Sequence, residues 1–162
     1  MQTGTILILT HNDNGYHLGV STEWSEQALA ELRGAGYRRG LARARVIDFL
    51  DAQDCCVGAQ EIHSELVARG ERVGLASVYR VLDVLAEKRL VQRVDLGDGV
   101  TRFEPLRDTV EHHHHIVCDD CGRIEPFADQ RLERVLRDVE ESSGYAVVGH
   151  DIVLRGACSA CR

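Results

Sequence analysis

The 162-residue sequence lacks any long run of apolar residues, and this absence excludes a membrane-spanning helix. The aliphatic stretch ILIL at residues 6–9 is too short for a secretion signal, and no Lys or Arg precedes it. We therefore expect the chain in the cytoplasm. Cytosolic thiols stay reduced, so the six cysteines favour metal binding over disulfide bonds.

Positive charge is also scarce, with 19 Lys and Arg against 26 Asp and Glu and a net charge of −7. Such a balance excludes a protein that coats nucleic acid indiscriminately. The segment RGAGYRRGLARARVI at residues 33–47 nevertheless holds five arginines and no acid. It predicts a local anion-binding surface, with a solvated helix face as the alternative.

Apolar spacing predicts four helices after an N-terminal segment, 1–24, that has no clear pattern. Their expected ranges are about 25–34, 41–52, 59–69 and 76–89. The following stretch LVQRVDLGDGVTRFEPL alternates apolar and polar residues around an Asp-Gly turn, which is typical of a β-hairpin. Two helices joined by a Gly-containing turn and followed by a hairpin form a winged helix-turn-helix.

The second helix of such a motif enters the DNA major groove with its N-terminal residues closest to the bases. This rule points to Ser77, Tyr79 and Arg80 as DNA contacts. An arginine can bond guanine in a bidentate fork, and a tyrosine ring can pack on a thymine methyl. The alternative is that Tyr79 is a core aromatic and Arg80 an ordinary surface charge.

Four consecutive histidines lie in the segment EHHHHIVCDDCG at residues 111–122. The run looks extended, and side chains alternate between the two faces of a strand. His112 and His114 should then face one way and His113 and His115 the other, which gives two pairs of ligands for two metal sites. A purification tag is a poor alternative, because the run is internal and leads directly into a C-x-x-C motif.

Two C-x-x-C pairs can close a tetrahedral thiolate site around Zn²⁺ that leaves no position for a substrate. They are Cys118 with Cys121, and Cys158 with Cys161. The pairs bracket a predicted strand, a helix at about 129–142 and a strand at 146–154. A pair of redox dithiols is the alternative, but it does not explain why the pairs bracket this unit.

Taken together, four motifs resemble the ferric uptake regulator family, and within it the zinc-responsive branch. They are GLASVYRVLDVL, LGDG, EHHHHIVCDDCGRIEPF and RGACSACR, and the likeness covers about residues 32–162. The resemblance implies an α+β protein with a winged-helix DNA-binding domain (25–105), a hinge (106–111) and a small α/β dimerisation domain (112–162). It further implies a homodimeric, metal-dependent repressor of an A·T-rich palindromic DNA operator, with no membrane and no small-molecule substrate as partner.

The resemblance also implies three metal sites. The structural Zn²⁺ would lie on the four cysteines, and a dimerisation-domain site would use His112, His114, Glu133 and His150. The sensing site at the hinge would use His113, His115, Glu104 and Cys56, with Cys55 beside it as a small core residue. Zinc is the expected regulatory metal, with Fe²⁺ or Mn²⁺ as the alternative.

Other matches and departures concern the DNA-binding domain. Arg38 and Arg39 match a basic residue that reaches into a narrow minor groove. The zinc-responsive branch has an acid at the position of Gln92 and a cysteine near Leu106, and both are absent here.

Three other functions are considered. An enzyme could use Glu133 as a general base beside a metal, but no nucleophile motif accompanies it. A metal buffer would bind no operator. An iron or peroxide sensor of the same family is the closest competitor, although peroxide sensing relies on an aspartate where this chain has Glu104.

Overall fold

The computed structural model describes residues 22–38, 40–107 and 112–162. Five helices and six strands follow one another along this part of the chain: α1 (Thr22–Gly34), α2 (Leu41–Asp51), β1 (Val57–Gly58), α3 (Ala59–Ala68), α4 (Leu75–Glu87), β2 (Val91–Asp95), β3 (Thr101–Pro105), β4 (His114–Cys118), β5 (Ile124–Phe127), α5 (Gln130–Ser143) and β6 (Val153–Gly156). Most of the predicted N-terminal extension, Arg39 and most of the predicted hinge lie outside the described residues. Among the described helices none has the length and apolar character that a bilayer crossing requires.

The helices of the N-terminal domain enclose a single apolar core. The buried faces of α2, α3 and α4 meet there, and Leu50, Ile62 and Leu82 are fully buried. Helix α1 closes the core through Trp24, whose indole N–H donates to the Leu90 carbonyl at 3.2 Å. Because α1 begins at Thr22 and Trp24 is buried, the last residues of the predicted extension belong to this domain.

Helices α3 and α4 form the helix-turn-helix that the sequence predicts. Gly70, in the left-handed region at φ +80°, ends α3, and α4 begins after Gly74. The end of α4 was predicted at Arg89, but the helix stops at Glu87. Arg89 itself adopts φ +55°, and the Leu90 N–H turns back to the Leu85 carbonyl at 2.9 Å. This left-handed residue breaks the helical path before the wing.

The wing is an antiparallel sheet in the order β1-β3-β2. Its hairpin loop, residues 96–100, is held by Asp98, which accepts from the Val100 N–H at 3.1 Å and from Arg102 at 2.6 and 2.9 Å. Gly97 and Gly99 both have φ near +78°, where side-chain-bearing residues are strained. The winged helix-turn-helix prediction is thereby confirmed.

The C-terminal domain is a second sheet, in the order β5-β4-β6, with α5 as the connection between β5 and β6. Strands β4 and β6 run parallel, which requires a crossover of this kind. The last strand was predicted at 146–154 but lies at Val153–Gly156. Parallel pairing begins only at Val153, opposite His115, and Val148 is fully exposed in the preceding segment. Apolar sequence there does not become a strand because it lacks a pairing partner among the described residues.

A small apolar cluster joins the two domains. Cys56 and Leu96 from the DNA-binding domain pack against Val117 from β4, with Val153 at the margin. Arg155 of β6 adds a hydrogen bond between the domains, because its guanidinium donates to the carbonyl of Leu96. The same guanidinium also donates to Asp119 at 3.0 Å within the C-terminal domain. The wing and the C-terminal sheet are therefore in direct contact at the junction where the histidine run lies.

Candidate metal centres and DNA-binding surface

The four-cysteine cluster lies where β4 and β6 end side by side. Their parallel register sets Cys118 opposite Gly156, so the C-terminal C-x-x-C turn begins next to the first pair. The four sulfur atoms lie within 4.8 Å of one another, and Cys121 and Cys158 are 3.9 Å apart. Two thiolates on one tetrahedral Zn²⁺ at about 2.3 Å are expected roughly 3.8 Å apart. The sulfur atoms thus have the spacing of a closed zinc site.

The surroundings of the Cys118 sulfur atom favour a thiolate. Backbone N–H groups of residues 158, 121 and 120 point at Cys118 and lower the pKa of its thiol to about 6. The Cys158 N–H donates to Cys118 Sγ at 3.3 Å. Hydrogen bonding of the Cys161 thiol to the sulfur atoms of Cys158, Cys121 and Cys118 raises its pKa to about 12, because a thiol that donates to these atoms keeps its proton. A bound dication would deprotonate a coordinating thiol and take the place of these hydrogen bonds, so the donor set fits Zn²⁺.

A second cluster contains His112, His114, Glu133 and His150 on one face of β4, with all ligand atoms within 4.8 Å. His114 Nε2 is 2.8 Å from Glu133 Oε1, and the Nε2 atoms of His112 and His150 are 3.1 Å apart. Glu133 comes from the first turn of α5, where Asp129 caps the helix by accepting from the Arg131 N–H. His114 lowers the pKa of Glu133 by hydrogen bonding. Three imidazoles and one carboxylate converge here as a complete tetrahedral donor set.

A third cluster lies at the domain junction on the opposite face of β4. Glu104 from β3 is buried, its Oε1 is 2.9 Å from His113 Nε2, and its Oε2 is 3.8 Å from His115 Nε2. Gln92, paired with Glu104 across β2 and β3, donates to Oε2 at 3.1 Å. The residue that replaces the acid of the zinc-responsive branch therefore holds the Glu104 carboxylate in place.

Two buried imidazole nitrogens lack hydrogen-bond partners among the described residues, namely His114 Nδ1 and His115 Nε2. Buried polar atoms are normally satisfied, and an orphaned one needs an explanation. His115 Nε2 points toward the Glu104 carboxylate yet stays beyond hydrogen-bond distance. A cation between the two groups would satisfy both, so the junction cluster also fits a metal ion.

Cys56 does not join the cluster that the resemblance implies. Continuing the β1–β3 register by one residue brings it opposite Glu104, but among the described residues its Sγ groups with Cys55 and His115 and not with Glu104 and His113. Cys55 was expected to be a small core residue; it is only half-buried, and its Sγ is 3.9 Å from that of Cys56. The adjacency of the two cysteines was the only signal in the sequence for this grouping.

Helix α4 presents the predicted DNA contacts on its outer face. Tyr79 has 43% of its surface exposed, which excludes the alternative of a core aromatic. Arg80 is exposed and donates to Ser77 Oγ at 3.0 Å, so the two polar side chains form one unit near the start of the helix. Val78, Val81 and Leu82 fill the opposite face and bury it in the core.

Some arginine side chains of the segment 33–47 contact other groups of the protein, and others are exposed. Arg45 pairs with Glu71 at 2.9 Å, and Arg43 lies over the Tyr37 ring at 5.2 Å and donates to the Arg38 carbonyl. Arg33 and Arg38 are exposed, and within the described part of the chain neither has a charged partner. The segment is therefore neither a uniform anion site nor merely a solvated face. Arg39 lies outside the described residues.

Comparison with known proteins gives a consistent assignment. The family model described as "Ferric uptake regulator family" matches residues 34–155. The ferric uptake regulation protein of Vibrio anguillarum is 33% identical over 129 residues, which span 79% of this chain and 85% of that protein.

Among solved structures, the ferric uptake regulator of Vibrio cholerae superposes with a TM-score of 0.70 at 31% identity, over 80% of this chain and 98% of that one. The regulator of Pseudomonas aeruginosa, solved with manganese, superposes with a TM-score of 0.62 at 31% identity, over 82% and 98%.

Family regulators are not enzymes, so the convergence of Glu133 with three histidines is not a catalytic site. The predicted α+β fold, with DNA-binding and dimerisation domains, agrees with these structures. The chain belongs to the ferric uptake regulator family, and it is accordingly a metal-dependent transcriptional regulator that binds DNA as a dimer.

Proposed function

We propose that this protein is a zinc-sensing repressor in which a metal at the domain junction controls operator binding. One observation carries the proposal: Glu104 of the DNA-binding domain converges with His113 and His115 of the C-terminal domain. A metal ion that binds side chains from both domains would hold the two domains in one relative orientation. Because its partner is DNA, we infer that the protein works in the cytoplasm.

A bound cation would supply a cross-link and cancel the charge of the buried Glu104. His113 Nε2 lies 2.9 Å from Glu104 Oε1, so the fold places ligands from both domains side by side. A sensor changes state only through the difference in metal affinity between its two states. Moving the population from about 1:99 to 99:1 requires roughly 5.5 kcal/mol. Glu104 is the ligand that can supply this difference, because it belongs to the domain that must reorient.

Zinc is the proposed metal because two cysteine sulfur atoms lie next to the junction. Cys56 is buried beside His115, and thiolate ligands favour Zn²⁺ over Fe²⁺ and Mn²⁺. Iron remains the second candidate, supported by a different observation. The three junction ligands Glu104, His113 and His115 are one oxygen and two nitrogens, a set that also suits Fe²⁺ or Mn²⁺.

The DNA-binding role assigns Ser77, Tyr79 and Arg80 to the major groove and Arg38, together with Arg39, to the adjacent minor groove. The exposure of Tyr79 and Arg80 at the start of α4 supports the first assignment, and the exposure of Arg38 supports the second. In a two-fold dimer the two α4 helices would read the half-sites of a palindrome. Two further sites are proposed: a structural Zn²⁺ on the four cysteines, and a dimerisation-domain metal on His112, His114, Glu133 and His150.

We assign the dimer contact to the exposed apolar side of the C-terminal domain. Val135 and Val139 on α5 are 56% and 55% exposed, and Tyr145 and Val148 continue the surface. Apolar patches of this kind mark protein–protein interfaces, and no residue of α5 is buried within the described chain. A second copy of the chain is the occupant that the dimeric state of the family requires.

The test is a titration of operator binding against free Zn²⁺ and free Fe²⁺ at fixed salt, together with the metal content per protomer. We expect two or three zinc atoms per chain and a DNA affinity that rises as the weakest site fills. His113→Ala should remove this dependence, whereas His63→Ala on α3 should retain it. If operator binding follows Fe²⁺ while one zinc stays inert, the zinc assignment is wrong and the iron assignment replaces it.

A further inference from the structure

The adjacent thiols of Cys55 and Cys56 form a donor pair that the proposed switch uses only in part. They follow α2 and lead into β1, at the edge of the DNA-binding domain that faces the C-terminal sheet. Their sulfur atoms are 3.9 Å apart, the same separation as Cys121 and Cys158 in the four-cysteine cluster. A disulfide would need about 2.05 Å. The spacing is that of two sulfurs on one tetrahedral cation, roughly 3.8 Å.

A third donor completes this group. The ligand atoms of Cys55, Cys56 and His115 lie within 4.8 Å of one another, and Cys56 and His115 are buried. Two sulfurs and one nitrogen are a soft donor set that suits Zn²⁺ and its heavier analogue Cd²⁺.

His115 belongs to this group and also to the group of Glu104 and His113. A neutral imidazole has one lone pair to offer, so His115 can bind one cation at a time. The two groups are therefore alternatives. One is sulfur-rich and suits a thiophilic cation, and the other contains only nitrogen and oxygen and suits a harder cation.

We propose that Cys55 is a metal ligand and that Cys55, Cys56 and His115 form a thiolate site for Zn²⁺ or Cd²⁺, which competes for His115 with the Glu104–His113 pair. The domain junction would thus sort metal ions by softness. Three ligands leave one tetrahedral position open, unlike the closed four-cysteine site, and an open position lets the ion exchange. This inference rests on the proposed function only in placing a regulatory metal at the junction.

Cys55→Ser and Glu104→Gln separate the two ligand sets. Each removes a donor from one set alone and changes the side-chain size little. Cys56 is unsuitable as the first test, since it is buried in the interdomain cluster and belongs to the ligand set that the resemblance implies. His63→Ala serves as a control, because it removes an imidazole that belongs to none of the candidate metal groups.

The experiment titrates the zinc-loaded full-length dimer with Cd²⁺ and, separately, with Mn²⁺. NMR of a magnetically active cadmium isotope counts the sulfur ligands, so a two-sulfur signal is distinct from the four-sulfur signal of exchange at the other cysteines. We expect a two-sulfur signal in the wild type, a Cd²⁺ affinity at least about tenfold weaker in Cys55→Ser, and little change in Glu104→Gln. Mn²⁺ binding should respond to the two variants in the opposite order.

Melting curves of each variant check that the fold is retained. A one-sulfur signal that survives in Cys55→Ser and disappears in Glu104→Gln would overturn the inference and leave the proposed zinc switch intact. If the two-sulfur signal behaves as expected but no metal changes operator binding, the thiolate site stands and the proposed function is wrong.

Discussion

Helices α4 and α5 are both amphipathic, but they use their apolar faces differently. In α4 the residues Val78, Leu82 and Leu85 are fully buried against the other helices of the same chain. In α5 the corresponding valines are more than half exposed, and no residue of the helix is buried. The first helix is stabilised by its own domain, and the second has an apolar face that no element of the described part of the chain covers.

The same contrast extends to the two domains. The DNA-binding domain has a core built from four helices and the wing. Among the described residues of the C-terminal domain, the buried side chains are those of His114, His115, Val117 and Cys118. A domain with so small a core needs metals or a partner subunit to remain folded. The difference implies that metal removal and dimer disruption should affect the C-terminal domain first.

The largest expected effect is the removal of metal from the four-cysteine site. Structural zinc in small domains contributes roughly 10–16 kcal/mol of apparent binding free energy, most of which is folding free energy. A strong chelator should therefore unfold the C-terminal domain while the helices of the DNA-binding domain persist. Circular dichroism and hydrogen exchange resolved by domain measure this outcome. Simultaneous unfolding of both domains would contradict the contrast between them.

Next in size is the disruption of the dimer by Val139→Asp. A carboxylate enclosed in an apolar interface without a partner costs about 3–5 kcal/mol. We expect dissociation into monomers at micromolar concentration, as measured by sedimentation equilibrium. Arg137→Asp, a charge change on another face of the same helix, should leave the dimer intact. Dissociation caused equally by both changes would place the interface elsewhere.

A matched pair of truncations compares the two helices directly. Leu82→Ala in α4 should lower the free energy of unfolding by about 2–5 kcal/mol, because it leaves a cavity in a closed core. Val139→Ala should change the unfolding of a monomeric variant by less than about 0.5 kcal/mol, as for an ordinary surface position. Denaturant melts monitored through Trp24 for the first and α5 helicity for the second provide the comparison. Equal losses would show that α5 packs within its own chain.

The smallest effect concerns the exposed face of α4. Arg80→Ala should weaken operator binding by about 1–3 kcal/mol and relax the preference at one base pair. Arg38→Ala should weaken binding most where the adjacent minor groove is narrow and A·T-rich, and it should reduce the salt dependence of binding. Binding to operator variants over a range of salt concentrations distinguishes the two, with Arg123→Ala in the C-terminal domain as the control. If Arg80→Ala weakens binding equally to all operator variants, Arg80 contacts phosphate and does not recognise a base.

Much of the architecture follows from local patterns. Apolar spacing predicts the helices to within about three residues at each end, and glycines with positive φ explain most of the turns. The alternation of a strand separates His112 and His114 from His113 and His115, and the structure has that arrangement. The end of α4 at Glu87 and the late start of β6 could not be predicted, because a left-handed arginine and the register with β4 set these boundaries.

The sequence by itself determines the chemistry of this protein: which donors are available, how they alternate along β4, and that two C-x-x-C pairs lie at the ends of one unit. Tertiary structure alone decides which donors share a cation. Pairing of β1 with β3 and contact of the wing with the C-terminal sheet bring Cys55, Cys56 and Glu104 to His115. Sequence spacing encodes neither contact, because the first joins two strands that are far apart in the chain and the second depends on two domains packing together.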